Sequence, residues 1–330
     1  MIARRRLLGF AGGLAGAAVL PWPLAAGERE RRVPLSFMGR AGTLTLADPG
    51  DGRAEAALSE VRRELRRLEA AVSLYDPESE LSRLNRDGRL AAPSPAFRAV
   101  LDRGLAVARA TEGAFDPTVQ PLWDLHAAFF RDAHAPGPPP QLLRERAAEL
   151  VDHGRVRVDG GGVAFERPEM AVTLNGLAQG RATDRVTATL RRHGLARHLA
   201  DLGEFSARAG ADGEPWRVGV AAPRGGRLTL VRSVPLTHGA LATSAGYGTP
   251  FDAEGRHHHL FDPVTGGSTT RHASVSVSAP DAATADAFAT AFAAMPVGRI
   301  AGVLAEQPAL GALLVDHAGA VETLGRFART

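Results

Sequence analysis

From Ala54 to Val72 the apolar positions Leu58, Val61, Leu65, Leu68 and Val72 recur at intervals of three and four, with arginines on the opposite face. That is the period of a helix with one buried stripe, so the pattern predicts a long surface helix. Phe97 to Ala110 repeats it, and Gln141 to Val151 does so more weakly. Further along, the pattern changes. Arg155 to Val158, Val163 to Glu166, Ala171 to Leu174, Ala196 to Leu202, Trp216 to Val220, Leu228 to Val231 and Ser274 to Ser278 are short runs, several of them alternating and β-branched. They are predicted as strands. Ala178 to His193 and Asp281 to Ala294 return to helical spacing between them. Helices inserted among many short strands predict an α+β fold rather than a regular doubly wound sheet. No repeat or composition shift divides the chain, and Pro136 to Pro140 reads as a surface loop.

The first residues follow another logic. Arg4, Arg5 and Arg6 precede an apolar, Gly/Ala-rich run from Leu7 to Leu20, and a polar stretch begins at Gly27. This is the layout of a secretory signal of the twin-arginine type, with Ala26 as the last residue before cleavage. The run is too short for a stable membrane span. The expected organisation is a signal at residues 1 to 26 and one domain at 27 to 330. The expected location is the periplasm, or the membrane surface if the signal stays uncleaved.

Composition then narrows the chemistry. All 39 basic residues are arginine, and the chain has no cysteine. A phosphate loop ending in Gly-Lys, a Schiff-base amine, a thiol nucleophile and a thiolate metal site are all excluded. Removing the signal takes the basic residues from 39 to 36, against 36 acidic ones. The remaining domain is formally neutral, so there is no electrostatic case for a nucleic-acid partner.

Two segments carry the strongest candidate chemistry. His257-His-His-Leu-Phe-Asp-Pro-Val-Thr-Gly-Gly267 reads as a loop with an imidazole beside an Asp-Pro turn. Ala285-Asp-Ala-Phe-Ala-Thr290 places Asp286 and Thr290 four apart in a helical pattern. Both side chains then lie on one helix face and aim two hard oxygens at one point, which suits Mg2+ better than zinc or copper. Four further segments are weaker alone: Tyr75 to Asn85, Gly113-Ala-Phe-Asp-Pro-Thr118, Thr173 to Asp184 and Asp201-Leu-Gly-Glu204.

Taken in order, with Met38-Gly39 and Ala242-Thr-Ser244, these segments resemble the ApbE family of FAD:protein FMN transferases from about Met38 to Met295. The resemblance implies an α+β unit with FAD in a cleft between two lobes. It also implies Mg2+ and transfer of the FMN half of FAD to a threonine or serine of an acceptor protein, with release of AMP. Residue by residue, Asp286, Thr290 and the Ala178 carbonyl match metal ligands, and His259 matches a general base. Met38, Tyr75, Ala114, Phe115, Asp116, Asn175 and Leu260 match flavin and nucleotide contacts. His257 and His258 have no such match and read as loop residues, and Asp116 and Glu204 each read equally as a functional or as a turn or capping residue.

The residues agree with such chemistry. Cleaving a pyrophosphate requires charge neutralised on its oxygens, and a hydroxyl nucleophile needs a base. A flat flavin ring wants an aromatic face, which Tyr75 or Phe115 offers. The chain departs from the family pattern at Gln179, where lysine is usual, at Arg181, where tyrosine is usual, and at Glu204, which replaces a second glycine. These features are similar to an exported branch associated with nitrous oxide respiration, NosX, whose acceptor resembles a membrane-bound flavoprotein (NosR type) with a periplasmic flavin domain. Two other readings use the same site: a periplasmic FAD pyrophosphatase giving FMN and AMP, and a non-catalytic flavin carrier. A third, a zinc or copper protein using the histidine run, lacks cysteine and a second histidine cluster.

Overall fold

A computed structural model describes residues 29–131, 137–210, 213–224 and 227–328. The expected signal at residues 1 to 26 lies outside the described residues, as does Pro136 of the expected loop. Strands β1 (Arg29–Phe37) and β2 (Arg40–Asp48) form an antiparallel hairpin. Its turn residues Met38 and Gly39 both have positive φ, 49° and 75°, the pattern of a type I′ turn. Helices α1 (Arg53–Val72), α2 (Glu80–Asp87) and α3 (Pro95–Ala110) follow, with β3 (Arg89–Leu90) between the last two. Ser79 and Ser94 cap α2 and α3 by accepting from the Ser82 and Phe97 N–H groups. Next come α4 (Gln120–Phe129), α5 (Gln141–Ala148), β4 (Val156–Asp159) and β5 (Gly162–Phe165). Strands β3, β5 and β4 make a small antiparallel sheet.

The second half holds α6 (Asn175–Arg192), β6 (His198–Asp201), β7 (Phe205–Arg208) and the long ribbon of β8 (Trp216–Arg224) and β9 (Arg227–Leu236). It continues through β10 (His238–Ser244), the short pair β11 (Phe261–Asp262) and β12 (Gly267–Ser268), β13 (Ser274–Ala279) and α7 (Ala282–Ala293). Helix α8 (Val297–Glu306), β14 (Gly311–Val315) and β15 (Val321–Gly325) complete it. Eight strands join in one sheet in the order β1-β2-β6-β7-β10-β13-β14-β15, every neighbouring pair antiparallel. The architecture is α+β.

Both faces of this sheet are covered, and side chains alternate between two cores. On β10, Ala240 and Ala242 belong to the core shared with α1, α6 and α7, while Leu241 joins the core under the β8–β9 ribbon. On β14, Ala312 and Leu314 face the helices, while Leu313 and Val315 face the ribbon. The helices thus press against one face, and α6 and α7 meet over its centre.

One predicted strand is absent. Residues 171–174 join no sheet. Asn85 takes the place of a neighbouring strand: its Nδ2 donates to the Val172 carbonyl and its Oδ1 accepts from the Val172 N–H, both at 2.8 Å. Asn85→Ala leaves both backbone groups of the buried Val172 unpartnered, and is expected to lower stability by about 2 kcal/mol. Denaturant unfolding with an unchanged m-value checks this.

Candidate active site

The centre of the molecule is set by how closely α6 approaches α7. A Cβ at Gly180 would stand 2.3 Å from the Ala282 carbonyl oxygen, so only glycine permits this crossing. The approach lets the Gly180 N–H donate to Asp286 Oδ2 at 3.1 Å. One turn further along α6, Asp184 accepts from the Ala282 and Ala283 N–H groups at 2.7 and 3.0 Å, capping α7 from outside. One turn earlier, Gly176 lies flush with Thr290, whose Oγ1 would be 3.4 Å from a Cβ there. Asp286 and Thr290 therefore both face the first two turns of α6, which contain the buried Ala178.

A second carboxyl joins them. Glu204, at the turn between β6 and β7, is buried, and its Oε2 accepts from the Thr243 N–H at 3.3 Å. Burial, and then the charge of Asp286, push its carboxyl well above the ordinary range. Burial likewise pushes Asp286 up to about 7, opposed by the Gly180 N–H and by Arg40. Arg40 donates to Gln179 Oε1 at 3.2 Å rather than to either acid. Among the described residues the hydrogen-bond partner of Thr290 Oγ1 is Ser244 Oγ, at 3.4 Å. Among the described residues the side chains of buried Asp286 and Glu204 and half-buried Thr290 each make a single hydrogen bond, and a hard cation is the species that would satisfy their remaining lone pairs. Among the described residues no group of three or more His, Cys, Asp or Glu side chains is set to hold a metal ion, so any such site draws on hydroxyl and carbonyl oxygens as well.

His259 sits in the loop between β10 and β11. Phe251 stacked on Phe130 and Phe261 against His126 pin this loop to α4 and its end. The Thr249 carbonyl lies 3.2 Å from the His259 N–H and 3.3 Å from its Nδ1. A carbonyl only accepts, so Nδ1 carries the proton and Nε2 keeps its lone pair. Burial, reinforced by His258 and Arg40, pushes this imidazole down to about 4, which keeps it neutral. Arg40 thus acts on His259, Glu204 and Asp286 alike.

The neighbouring histidines do other things. His258 is clamped by Ser268, which accepts from its N–H and donates to its carbonyl at 2.8 Å, and Gly246 leaves room for its ring. His257 stacks on Phe130 at 5.0 Å.

The expected flavin and nucleotide contacts divide into free and committed groups. Tyr75 is 69 % exposed, and Asn175 is exposed at the start of α6. Met38 is docked on α1 through its N–H, which donates to Glu69 Oε1 at 2.9 Å. Ala114 is partly buried, and Leu260 is buried with its carbonyl accepting from the Thr269 N–H. Phe115 is buried with its ring against Gly104 and Gly176, so it presents no open aromatic face. Asp116 caps the 3₁₀ turn Pro117–Val119: Oδ1 accepts from the Thr118 N–H and hydroxyl, and Oδ2 from the His153 N–H and ring. Its lone pairs are committed to the turn.

Arg40 escaped the reading of the sequence, whereas Gly180 and Asp184 lie within the segment Thr173 to Asp184 but were given no role there. Arg40 directly follows the Met38-Gly39 turn, but only the pairing of β2 with β6 brings it beside Glu204.

An α+β scaffold whose central helix crossing gathers buried carboxyls and a hydroxyl, with a neutral imidazole in the field of the same Arg40, defines the class of protein. Residues 38–314 match the ApbE family, and the chain belongs to that family. It is 29% identical over 292 residues to the FAD:protein FMN transferase of Haemophilus influenzae, covering 83% of this chain and 84% of that protein. Identity to the FAD:protein FMN transferase of Treponema pallidum is 31% over 285 residues, 79% of this chain and 77% of that one. The solved flavin transferase ApbE from Vibrio cholerae superposes with a TM-score of 0.77 at 25% identity, covering 90% of this chain and 96% of the other. The ApbE protein from Thermotoga maritima shares the fold, with a TM-score of 0.79 at 24% identity over 92% of this chain and all of that one.

Proposed function

We propose that this chain transfers FMN from FAD to a threonine or serine hydroxyl of an acceptor flavoprotein and releases AMP. The observation that carries the reading is the neutral His259, whose Nε2 has no hydrogen-bond partner among the described residues, in the same electrostatic neighbourhood as the oxygens of Asp286 and Glu204. In the reaction the acceptor oxygen attacks the phosphorus of the FMN half. His259 Nε2 takes the hydroxyl proton, and the bond from that phosphorus to the bridging oxygen breaks, leaving AMP. Asp286, Thr290 and the Ala178 carbonyl would hold Mg2+, which neutralises charge on the pyrophosphate oxygens. Tyr75, Asn175 and Met38 remain the residues we assign to flavin and nucleotide contact. We further propose an exported enzyme whose signal occupies residues 1 to 26 and whose acceptor carries a periplasmic flavin domain of the NosR type.

The test combines residues 27 to 330, FAD, Mg2+ and a candidate acceptor domain, read by in-gel flavin fluorescence and mass spectrometry. The expected product is an FMN phosphoester on an acceptor threonine or serine. His259→Ala is expected to lower its rate about 10²- to 10⁴-fold. Because the imidazole is held at about 4, wild-type kcat/KM should show no loss from His259 protonation until the pH falls below about 5. FMN and AMP without an adduct would turn the reading to a pyrophosphatase, and unchanged bound FAD to a carrier.

A further inference from the structure

Helix α6 has a second working face. Leu177, Arg181, Asp184, Ala188 and Arg191 recur at intervals of four and three, and together with Arg185 they line a cleft of about 650 Å³. Arg103 from α3 and Arg208 from the end of β7 contribute to the same cleft, with Ala99 and Pro280 supplying apolar surface.

The acids in this cleft are already in use. Asp184 accepts from the first N–H groups of α7, and Asp281 pairs with Arg103 at 3.4 Å while accepting from the Thr284 N–H at 2.8 Å. Arg181 and Arg185 lie one helical turn apart, and both are half-buried. Among the described residues neither donates a hydrogen bond nor forms a contact ion pair. Like charges at this spacing repel, and a desolvated guanidinium without an acceptor is unfavourable. Burial, and then Arg185, push Arg181 below its ordinary value. Arg181 feels the charges of Asp184 and Asp281 at longer range, but among the described residues the planar, five-donor groups of Arg181 and Arg185 have no contact acceptor.

We propose that this cleft is a binding site for a phosphate-bearing small molecule about the size of a mononucleotide. The volume lies within the usual range for small-ligand sites, about 300 to 1,000 Å³. Guanidinium forks match phosphate oxygens, and Ala99, Ala188 and Pro280 give a base or other flat group an apolar wall. A concave cleft of this size favours a compact ligand over an extended acidic peptide. Occupancy would engage Arg181, which directly follows Gly180, and the Asp184 cap of α7, so the ligand would touch both helices that hold Asp286.

The probe is AMP, titrated calorimetrically into the protein saturated with FAD and held in EDTA to stop turnover. Saturable binding is expected with FAD bound. Arg181→Tyr, which installs the residue usual in the family, and Arg185→Gln should each weaken it at least about tenfold, with FAD affinity unchanged and the melting temperature not lowered. Inorganic phosphate alone should bind more weakly than AMP. The proposal is overturned if AMP binding vanishes when FAD is present, or if both variants bind as the wild type does. It is equally overturned if phosphate binds as tightly as AMP, or if an acidic peptide binds in an Arg181-dependent way while AMP does not.

Discussion

Asp286→Asn is expected to lower FMN transfer by about a hundredfold or more and yet to make the metal-free protein more stable at pH 8. The first effect follows from charge. A metal held at this carboxylate supplies several kcal/mol of transition-state stabilisation, and each 1.36 kcal/mol is tenfold in rate. The second follows from burial. Asp286 ionises in water near 3.8 but is held up at about 7 in the fold, so between those values the folded protein keeps a proton that the unfolded chain has released. Stability therefore falls as pH rises through that window, by an amount on the order of a few kcal/mol once the window is passed. Asparagine removes that cost while keeping an acceptor for the Gly180 N–H. The imidazoles of His126, His198 and His259, all pushed down to about 4 by desolvation, have the opposite sign: their contribution is lost as pH falls from 6.5. The difference between wild type and variant isolates Asp286. Melting curves at pH 5 and pH 8 should show Mg2+ stabilising the wild type more at the higher pH, and leaving Asp286→Asn nearly unmoved. A variant that melts lower without metal at pH 8, or that keeps the full Mg2+ shift, would overturn both halves of the argument.

What could be read along the chain depended on whether the information lay within one element. Helices α1 and α3 were legible because each buries one stripe and exposes the other. Strand β14 was not, because all five of its residues are buried between helices and ribbon, which erases the alternation that marks a half-exposed strand. Asp286 and Thr290 were legible as a pair because four residues of helix fix their relation. Glu204 could be seen as a departure from the family pattern, but its partnership with Asp286 depends on sheet order and on the helix crossing above it. Ala178 came only through the resemblance. Phe115 and Asp116 show the converse: a motif position fixes where the backbone goes, but not whether the ring or the carboxylate is free, and here packing and a turn have claimed both.

The helix crossing gives the other large expectation: Gly180→Ala should destabilise the protein by about 2 kcal/mol or more and cost activity beyond that loss. In a helix interior alanine is favoured over glycine by about 1 kcal/mol, so propensity alone predicts the opposite. The surroundings decide the sign. A Cβ at this position meets the Ala282 carbonyl oxygen at 2.3 Å, its carbon at 2.5 Å and the Ala283 Cα at 2.7 Å, all backbone atoms that cannot rotate aside. Relief requires α7 to move. That movement strains the bonds from the Ala282 and Ala283 N–H groups to Asp184 and from the Gly180 N–H to Asp286, which together fix where the candidate ligand points. A misplacement of about 1 Å can cost about a hundredfold in rate, so the folded fraction itself should transfer poorly. Gly302, in the interior of α8 with open space around it, is the control: alanine there should stabilise by up to about 1 kcal/mol and leave transfer unchanged. If Gly180→Ala melts like Gly302→Ala and still labels its acceptor, the close approach of α6 to α7 is not what positions Asp286.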